Sequence, residues 1–220
     1  RRFVKEPDRQ KKDRFPVRSV NLLGVTPLDF GPQENVERLK ENLKEYGWNV
    51  LSTWAMGDDL ETLQKAGEAT VSLVVSAVGL RAAEVLRETY KIPYVIGTPN
   101  QWLAEDISNA LETTIMRHAA AIQQSATTQQ STVIEQSVVV QQSDSVAFYL
   151  KNRMQQEAEI TLIGEPVTMG SLAAGIEKKY GHSARVFCPL KGCETLLGKK
   201  DKVVFGEEAM EEALKDSKII

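Results

Sequence analysis

Apolar residues in this chain form short continuous runs, and helically spaced apolar positions lie between them. Val20-Asn21-Leu22-Leu23 is the first run, and it stops at Gly24. A loop from Val25 to Pro32 follows. Val36, Leu39, Leu43 and Tyr46 then share one helical face, while Glu34, Glu37, Lys40, Glu41 and Lys44 stay wet. Pro32 suits the first helical turn and Gly47 suits the stop. Trp48 to Trp54 is a second apolar run. Strand, helix, strand predicts a βαβ unit with a right-handed crossover.

The alternation continues. Asp59 is placed to cap a short helix from Leu60 to Ala66. Thr70 to Ser76 reads as a buried strand, Gly79 interrupts, and Leu80 to Tyr90 reads as a helix. Pro93 to Gly97 is a fourth strand. A long helix follows at 101–123, with Leu103, Ile107, Leu111, Ile115 and Ile122 at helical spacing. Near Glu159 the grammar restarts. Ile160 to Ile163 ends at Gly164, Pro166 follows, and a helix carrying Leu172, Ile176 and Tyr180 ends at Gly181. Ala184 to Cys188 is the next strand, Glu207 to Leu214 the next helix, and Ile219-Ile220 opens another apolar run. This is a weak internal repeat of one supersecondary unit.

The predicted fold is therefore α/β: a Rossmann-like parallel sheet flanked by helices, with a second, incomplete Rossmann-like unit. The expected organisation is an extended arm at 1–18, a Rossmann-like domain at 19–122, an insert with a connecting helix at 123–158, and a partial second domain at 159–220. A sheet left in mid-strand exposes its edge, so the expectation is a fragment of a longer protein. Within the insert, Gln-Gln-Ser recurs at 123–125, 129–131 and 141–143, with Glu-Gln-Ser at 135–137. A six-residue period turns a helix by about 600° and holds no single helical face. It does hold one face of a strand. Two readings stand: a low-complexity insertion between domains, and a strand or hairpin used for association. Residues 143–156 read as helical, with Val146, Leu150 and Met154.

Composition narrows the function. Of 220 residues, 42% are hydrophobic and 26% charged, with a formal net charge of −3, so no basic field recruits nucleic acid. The basic run at Arg9, Lys11, Lys12 and Arg14 is local and reads as a solvated linker. No apolar run approaches the ~20 residues that span a bilayer. Two cysteines without a secretion signal fit a cytoplasmic location.

In an open parallel sheet, ligands sit beyond the carboxyl ends of the strands. Four such ends are legible, at 24–26, 54–57, 76–79 and 97–99. The cofactor-binding candidates there are Thr26, Asp29, Ser76, Gly79 and Arg81, and each also suits an ordinary turn or cap. No GxGxxG fingerprint and no P-loop are present, so neither NAD nor ATP binding is supported. Cys188 and Cys193 are two thiols, too few for a tetrahedral or Fe–S site, and read as a strand and a loop cysteine. His118 and His182 have no partners at catalytic spacing. The acidic run Glu207, Glu208, Glu211 and Glu212 reads as a solvated helix face, and Trp48, Trp54 and Trp102 read as packing residues. No catalytic residue and no metal ligand is assigned.

Four segments in their order carry a resemblance: VNLLGVTPLDF (20–30), YGWNVLSTWAMGDDLETL (46–63), AGEATVSLVVSAVGLRAAEVLRETYKIPYVIGTP (66–99) and IGEPVTMGSLAAGIEKKYG (163–181). Together they resemble the nitrogenase component 1 family, which includes molybdenum–iron proteins, cofactor-assembly scaffolds and tetrapyrrole reductases. The resemblance implies the middle domain and part of the last domain of a three-domain subunit. It implies a homologous subunit as partner and an ATP-dependent iron-protein-like reductase as electron donor. An Fe–S cluster or metallocofactor belongs to the full-length protein, with none within this fragment, which alone is expected to be inactive. Two functions follow: a cavity wall in an electron-accepting oxidoreductase, or a non-catalytic scaffold holding a metallocluster or tetrapyrrole. The resemblance also places Ser76 where the catalytic molybdenum–iron subunit has a cofactor-holding cysteine. An alcohol is a poor iron ligand beside a thiolate, so that departure argues against a standard iron–molybdenum cofactor here.

Overall fold

The computed structural model describes residues 3–5, 18–127, 148–151, 153–215 and 217–219. Its first sheet contains β1 (Ser19–Leu23), β2 (Asn49–Thr53), β3 (Val71–Val74) and β4 (Tyr94–Ile96). The spatial order is β2-β1-β3-β4, and every pairing is parallel. The order reverses direction between β1 and β3, which makes that gap the topological switch point. β1 and β3 are buried along their whole lengths, as central parallel strands must be when helices cover both faces. The one amide in the first apolar run is satisfied inside: Asn21 Nδ2 donates to the Ala66 carbonyl at 2.9 Å, and Ser52 Oγ donates to Asn21 Oδ1 at 2.7 Å.

Helices α1 (Pro27–Phe30), α2 (Gln33–Lys44), α3 (Leu60–Gln64), α4 (Leu80–Tyr90) and α5 (Ala104–Thr127) connect and flank this sheet. α2 buries Val36, Leu39 and Leu43, the predicted face. Tyr46 does not join it: the helix ends at Lys44, and Gly47, at φ 79°, turns the chain back toward β2. The loop expected from Val25 to Pro32 contains α1, a single turn that the sequence reading missed. α5 buries Ile107 and Leu111, half-buries Ile115, and leaves Ile122 exposed. Trp48 is buried at the start of β2, and its Nε1 donates to Ser108 Oγ on α5 at 2.9 Å. The first Gln-Gln-Ser copy begins within α5, so that copy is helical. The copies at 129–131, 135–137 and 141–143 lie outside the described residues.

After α6 (Phe148–Lys151) the second sheet comprises β5 (Ile160–Ile163), β6 (Ala184–Cys188) and β7 (Lys202–Val203), parallel and in that order. α7 (Pro166–Tyr180) joins β5 to β6, and α8 (Glu207–Leu214) follows β7. Ile219 bridges Ile160 in parallel. The sequence reading missed β7, because two residues between Asp201 and Val204 carry no alternation. The helix expected as far as Gln156 has already ended at Arg153, where the backbone is irregular. That break turns the Arg153 side chain into a buried ionic cluster. Its guanidinium reaches Glu177 at 3.2 Å and Asp201 at 3.4 Å, and Lys200 reaches Glu177 at 3.0 Å. Glu177 also accepts from the Met154 and Ala184 amides, at 2.8 and 3.0 Å. The cluster stands at the start of β6, opposite the carboxyl edge of that sheet, and serves to tie α7, β6 and the β7 entrance together.

One apolar core spans both units. Tyr149, Val167, Ala174 and Leu196 pack in the same cluster as the residues of β1, β3 and β4. Tyr149 has no exposed surface, and its hydroxyl donates to the Leu196 carbonyl at 3.1 Å. Residues 3–5 lie against the first unit, where the Tyr90 hydroxyl donates to the Val4 carbonyl at 2.8 Å. No described helix is long and apolar enough to cross a membrane.

Candidate functional site

Parallel strands open their carboxyl ends onto one rim, so the rim of the first sheet is where the fold builds a site. At the switch point that rim is sealed by backbone. β1 runs into Gly24, at φ 89°. A Cβ on Gly24 would lie 2.8 Å from the Ser76 carbonyl oxygen, and one on Gly79 would lie 2.5 Å from the Leu23 carbonyl oxygen. Ser76 has no exposed surface, and its hydroxyl donates to the Gly24 carbonyl at 2.7 Å. The two central loops are thus stitched to each other, and no cleft is left between them for a ligand.

The other polar candidates are held within their own turns. Thr26 caps α1: its Oγ1 accepts from the Asp29 amide at 3.3 Å and donates to Asp29 Oδ2 at 2.7 Å. Arg81 pairs with Glu84 one turn along α4, at 3.1 Å, with its side chain 82% exposed. The structure therefore brings Ser76 and Gly79 against the end of β1, keeps Thr26 with Asp29, and leaves Arg81 outside this group.

α7 of the second unit roofs the β3 and β4 half of the rim. The Ala77 amide, first after the β3 loop turns, donates to Glu165 Oε1 at 2.7 Å. The other Glu165 oxygen caps α7, accepting from the Thr168 amide at 2.7 Å and its hydroxyl at 2.9 Å. A carboxylate from within the chain so fills the amide position where a helix start favours an anion. Burial pushes the Glu165 carboxyl above its ordinary range, and the amides of Thr168, Ala77 and Val167 pull against that rise. Beyond β4, the Thr98 amide donates to Ser171 Oγ at 2.9 Å, and Asn100 Nδ2 donates to the Ser171 carbonyl at 3.1 Å. Trp102 meets Tyr180 edge to face, with ring centroids 5.6 Å apart.

Over β1 and β2 no such roof is formed among the described residues, and the outward groups there and in the β3 turn are apolar. Leu28 in α1 is 94% exposed, Leu60 at the start of α3 is 68% exposed, and Val78 in the β3 turn is 63% exposed. Trp54 and Met56 are half-buried beside them in the β2 loop. Two further features mark that loop. Ala55 has φ 88°, a conformation costly for a side chain with a Cβ. Thr53 Oγ1, at the end of β2, is buried without a hydrogen-bond partner among the described residues. Sequence reading missed Glu165, Ser171 and the apolar trio. The signal for Glu165 was its place between Gly164 and Pro166, which is a helix cap. The signal for Leu28 and Val78 was a large apolar residue inside a turn.

These residues do not fit a metallocofactor. No three His, Cys, Asp or Glu side chains among the described residues converge on a metal-holding set. Ser76, at the cysteine position implied by the resemblance, has its hydroxyl committed to Gly24. Cys188 and Cys193 are buried free thiols at the carboxyl end of β6. Burial lowers the His118 pKa, against a hydrogen bond to the Lys91 backbone. His182 lies on the surface with Nδ1 2.7 Å from Glu159.

Known proteins share parts of this sequence. One of them, the B-type subunit of light-independent protochlorophyllide reductase from Crocosphaera subtropica, is 33% identical over 96 residues, covering 41% of this chain and 19% of that protein. The protein of the same name from Ephedra altissima is 29% identical over 100 residues, covering 44% of this chain and 20% of that protein. The match thus spans about a fifth of those relatives' length. A solved chain titled "Nitrogenase Cp1 at pH 5" superposes on 96% of this chain and 39% of its own, with a TM-score of 0.44 and 18% identity. The sequence profile of one family matches residues 1–101, a span that holds β1 to β4 and ends just past the rim of β4. That profile is the one of the nitrogenase component 1 type oxidoreductases, and it matches a little under half of this chain.

Proposed function

We propose that this chain contributes a wall of the substrate or cofactor cavity in a nitrogenase component 1-like oxidoreductase. In that assembly a homologous subunit completes the cavity and an ATP-dependent iron-protein-like reductase delivers electrons. The profile match over residues 1–101 supports the class of reaction. The observation that carries the reading is the trio Leu28, Leu60 and Val78, exposed in the segments that follow the three neighbouring strands β1, β2 and β3. Apolar groups at a ligand-binding edge exclude water and pack against a flat, weakly polar molecule; they do not move protons or hold metal. The role of this chain is accordingly to shape and dry the cavity.

A second reading rests on the donor set. Without a metal-holding cluster among the described residues of the rim, and with the Ser76 hydroxyl committed to Gly24, the same wall suits a non-catalytic scaffold that holds a tetrapyrrole or metallocluster for another protein. The relatives' name supplies a probe. Titrating the chain with protochlorophyllide should quench or shift the pigment's fluorescence. Leu28→Asp combined with Val78→Asp should weaken binding at least tenfold, since burying each side chain is worth about 1.5–3 kcal/mol. Circular dichroism checks the fold. No binding, or equal binding by the double variant, defeats both readings. Binding with pigment reduction once the reductase, homologous subunit and ATP are added selects the cavity wall. Binding without reduction selects the scaffold.

A further inference from the structure

The proposed function leaves the two cysteines unused, and their geometry is specific. Cys188 is the last residue of β6, paired in register with Val203 on β7. Cys193 returns to it after the turn at 189–192, where Gly192 has φ 80°. The two thiols point into the same turn. Cys188 Sγ donates to the Leu190 carbonyl at 3.7 Å, and Cys193 Sγ donates to the adjacent Lys191 carbonyl at 3.9 Å. Each thiol also influences the ionisation of the other. Both are free and buried, yet the turn above them is open: Leu190 is 43% exposed, and Lys191 and Gly192 are on the surface.

We propose that Cys188 and Cys193 form a redox-active dithiol that closes into a disulfide across this turn when it meets a low-molecular-mass disulfide. The thiolate of Cys193, the less buried of the two, attacks one sulfur of the oxidant. The oxidant's S–S bond breaks, its other sulfur leaves as a thiolate and takes up a proton, and a mixed disulfide remains on Cys193. Cys188, deprotonated in turn, attacks the Cys193 sulfur and releases the second thiol. Two cysteine thiols are oxidised, one small disulfide is reduced to two thiols, and two protons pass from the protein to the products. Both thiols donate to neighbouring carbonyls of the one turn between them, so the disulfide would close across that turn. Burial holds the Cys193 thiol up to about 11, with the neighbouring Cys188 adding to it. The reaction is therefore slow at neutral pH and quickens about tenfold per pH unit below that value. The charge of Glu165 also raises both thiols.

The test is peptide mapping of the intact chain. The protein is incubated with oxidised glutathione, free thiols are blocked with iodoacetamide, and trypsin is added without reductant. Trypsin cuts after Lys191, between the cysteines, so the disulfide links peptide 186–191 to peptide 192–199. The expected product is that linked pair, two mass units below the sum, and reduction separates it. In Cys188→Ser the second step is blocked, and a stable glutathione adduct should accumulate on Cys193. An adduct that persists equally on the unaltered protein, disulfides only between two chains, or two alkylated cysteines after oxidation each overturn the proposal.

Discussion

The two strand–glycine–helix junctions of this molecule are built alike and used differently. β1 ends at Gly24 (φ 89°), Thr26 caps, and Pro27 opens α1. β5 ends at Gly164 (φ 154°), Glu165 caps, and Pro166 opens α7. Each cap accepts from the amide three residues on: Asp29 in the first junction, Thr168 in the second. Local physics is shared, because a glycine admits the turn, a cap satisfies an orphan amide, and proline begins a helix that needs no amide there. The difference is in what lies beyond. Thr26 directs its hydroxyl to Asp29 and reaches no further. Glu165 is longer and charged, and its second oxygen crosses to Ala77 in the other unit. Among the described residues, the first junction therefore roofs nothing, and the second roofs the β3 and β4 half of the rim.

Crowding at the glycines is the sharpest way to break this likeness. Gly24→Ala puts its new carbon 2.8 Å from the Ser76 carbonyl oxygen, on backbone of a central strand end. Gly164→Ala meets the Met169 Cγ at 2.9 Å, part of a side chain that can swing aside. Both substitutions also strain a positive φ. Gly24→Ala should lower unfolding free energy by about 3 kcal/mol or more, and Gly164→Ala by about 1–2 kcal/mol. Urea unfolding midpoints measure both, and equal losses would mean that the first junction is not the rigid one.

The caps give a smaller contrast. Thr26→Ala removes a local cap and should cost about 1 kcal/mol. Glu165→Ala removes a cap and leaves the half-buried Ala77 amide without its carboxylate, and should cost about 2–3 kcal/mol. Glu165→Gln keeps an acceptor and should fall between them. If Glu165→Ala costs no more than Thr26→Ala, the contact with Ala77 adds nothing to the joining of the units.

What the chain revealed in advance follows the same division. β1 to β6 were legible because their runs are apolar, and each is closed by glycine, proline or a helical pattern. The parallel sheet followed from their alternation with helices. β7 was not legible, because pairing with Cys188, not its own composition, makes Lys202-Val203 a strand. At the rim, the strand ends were located correctly as positions along the chain. The roof was not foreseeable, since the bond from Ala77 to Glu165 joins residues 88 apart, and neither turn announces the other. Reading polar residues as ligands was also natural, yet Thr26 bonds Asp29 and Ser76 bonds the Gly24 carbonyl, while Leu28 and Val78 face outward. A turn residue with a local partner has less left to offer a ligand than its type suggests.

Acid titration gives the smallest effect, and it separates two buried carboxylates by sign. For Glu165, burial raises the folded pKa, so the folded state binds its proton more tightly than the unfolded chain. Its contribution to stability is fully present below the unfolded value of about 4.3 and is lost as pH rises through the folded value. For Glu177, burial alone would also raise the pKa, but the Ala184 and Met154 amides, Arg153 and Lys200 outweigh it and hold the folded value low. Its contribution is present above the unfolded value and is lost as pH falls through the folded one. Subtracting the stability of Glu165→Gln from that of the unaltered chain, between pH 4 and 7, should give a difference that grows toward acid. The same subtraction with Glu177→Gln should give one that shrinks toward acid. Each slope is bounded at about 1.4 kcal/mol per pH unit. Two differences of the same sign would show that the amides of Ala77 and Thr168 dominate Glu165 as their counterparts dominate Glu177, and that the seam between the units carries its carboxylate without strain.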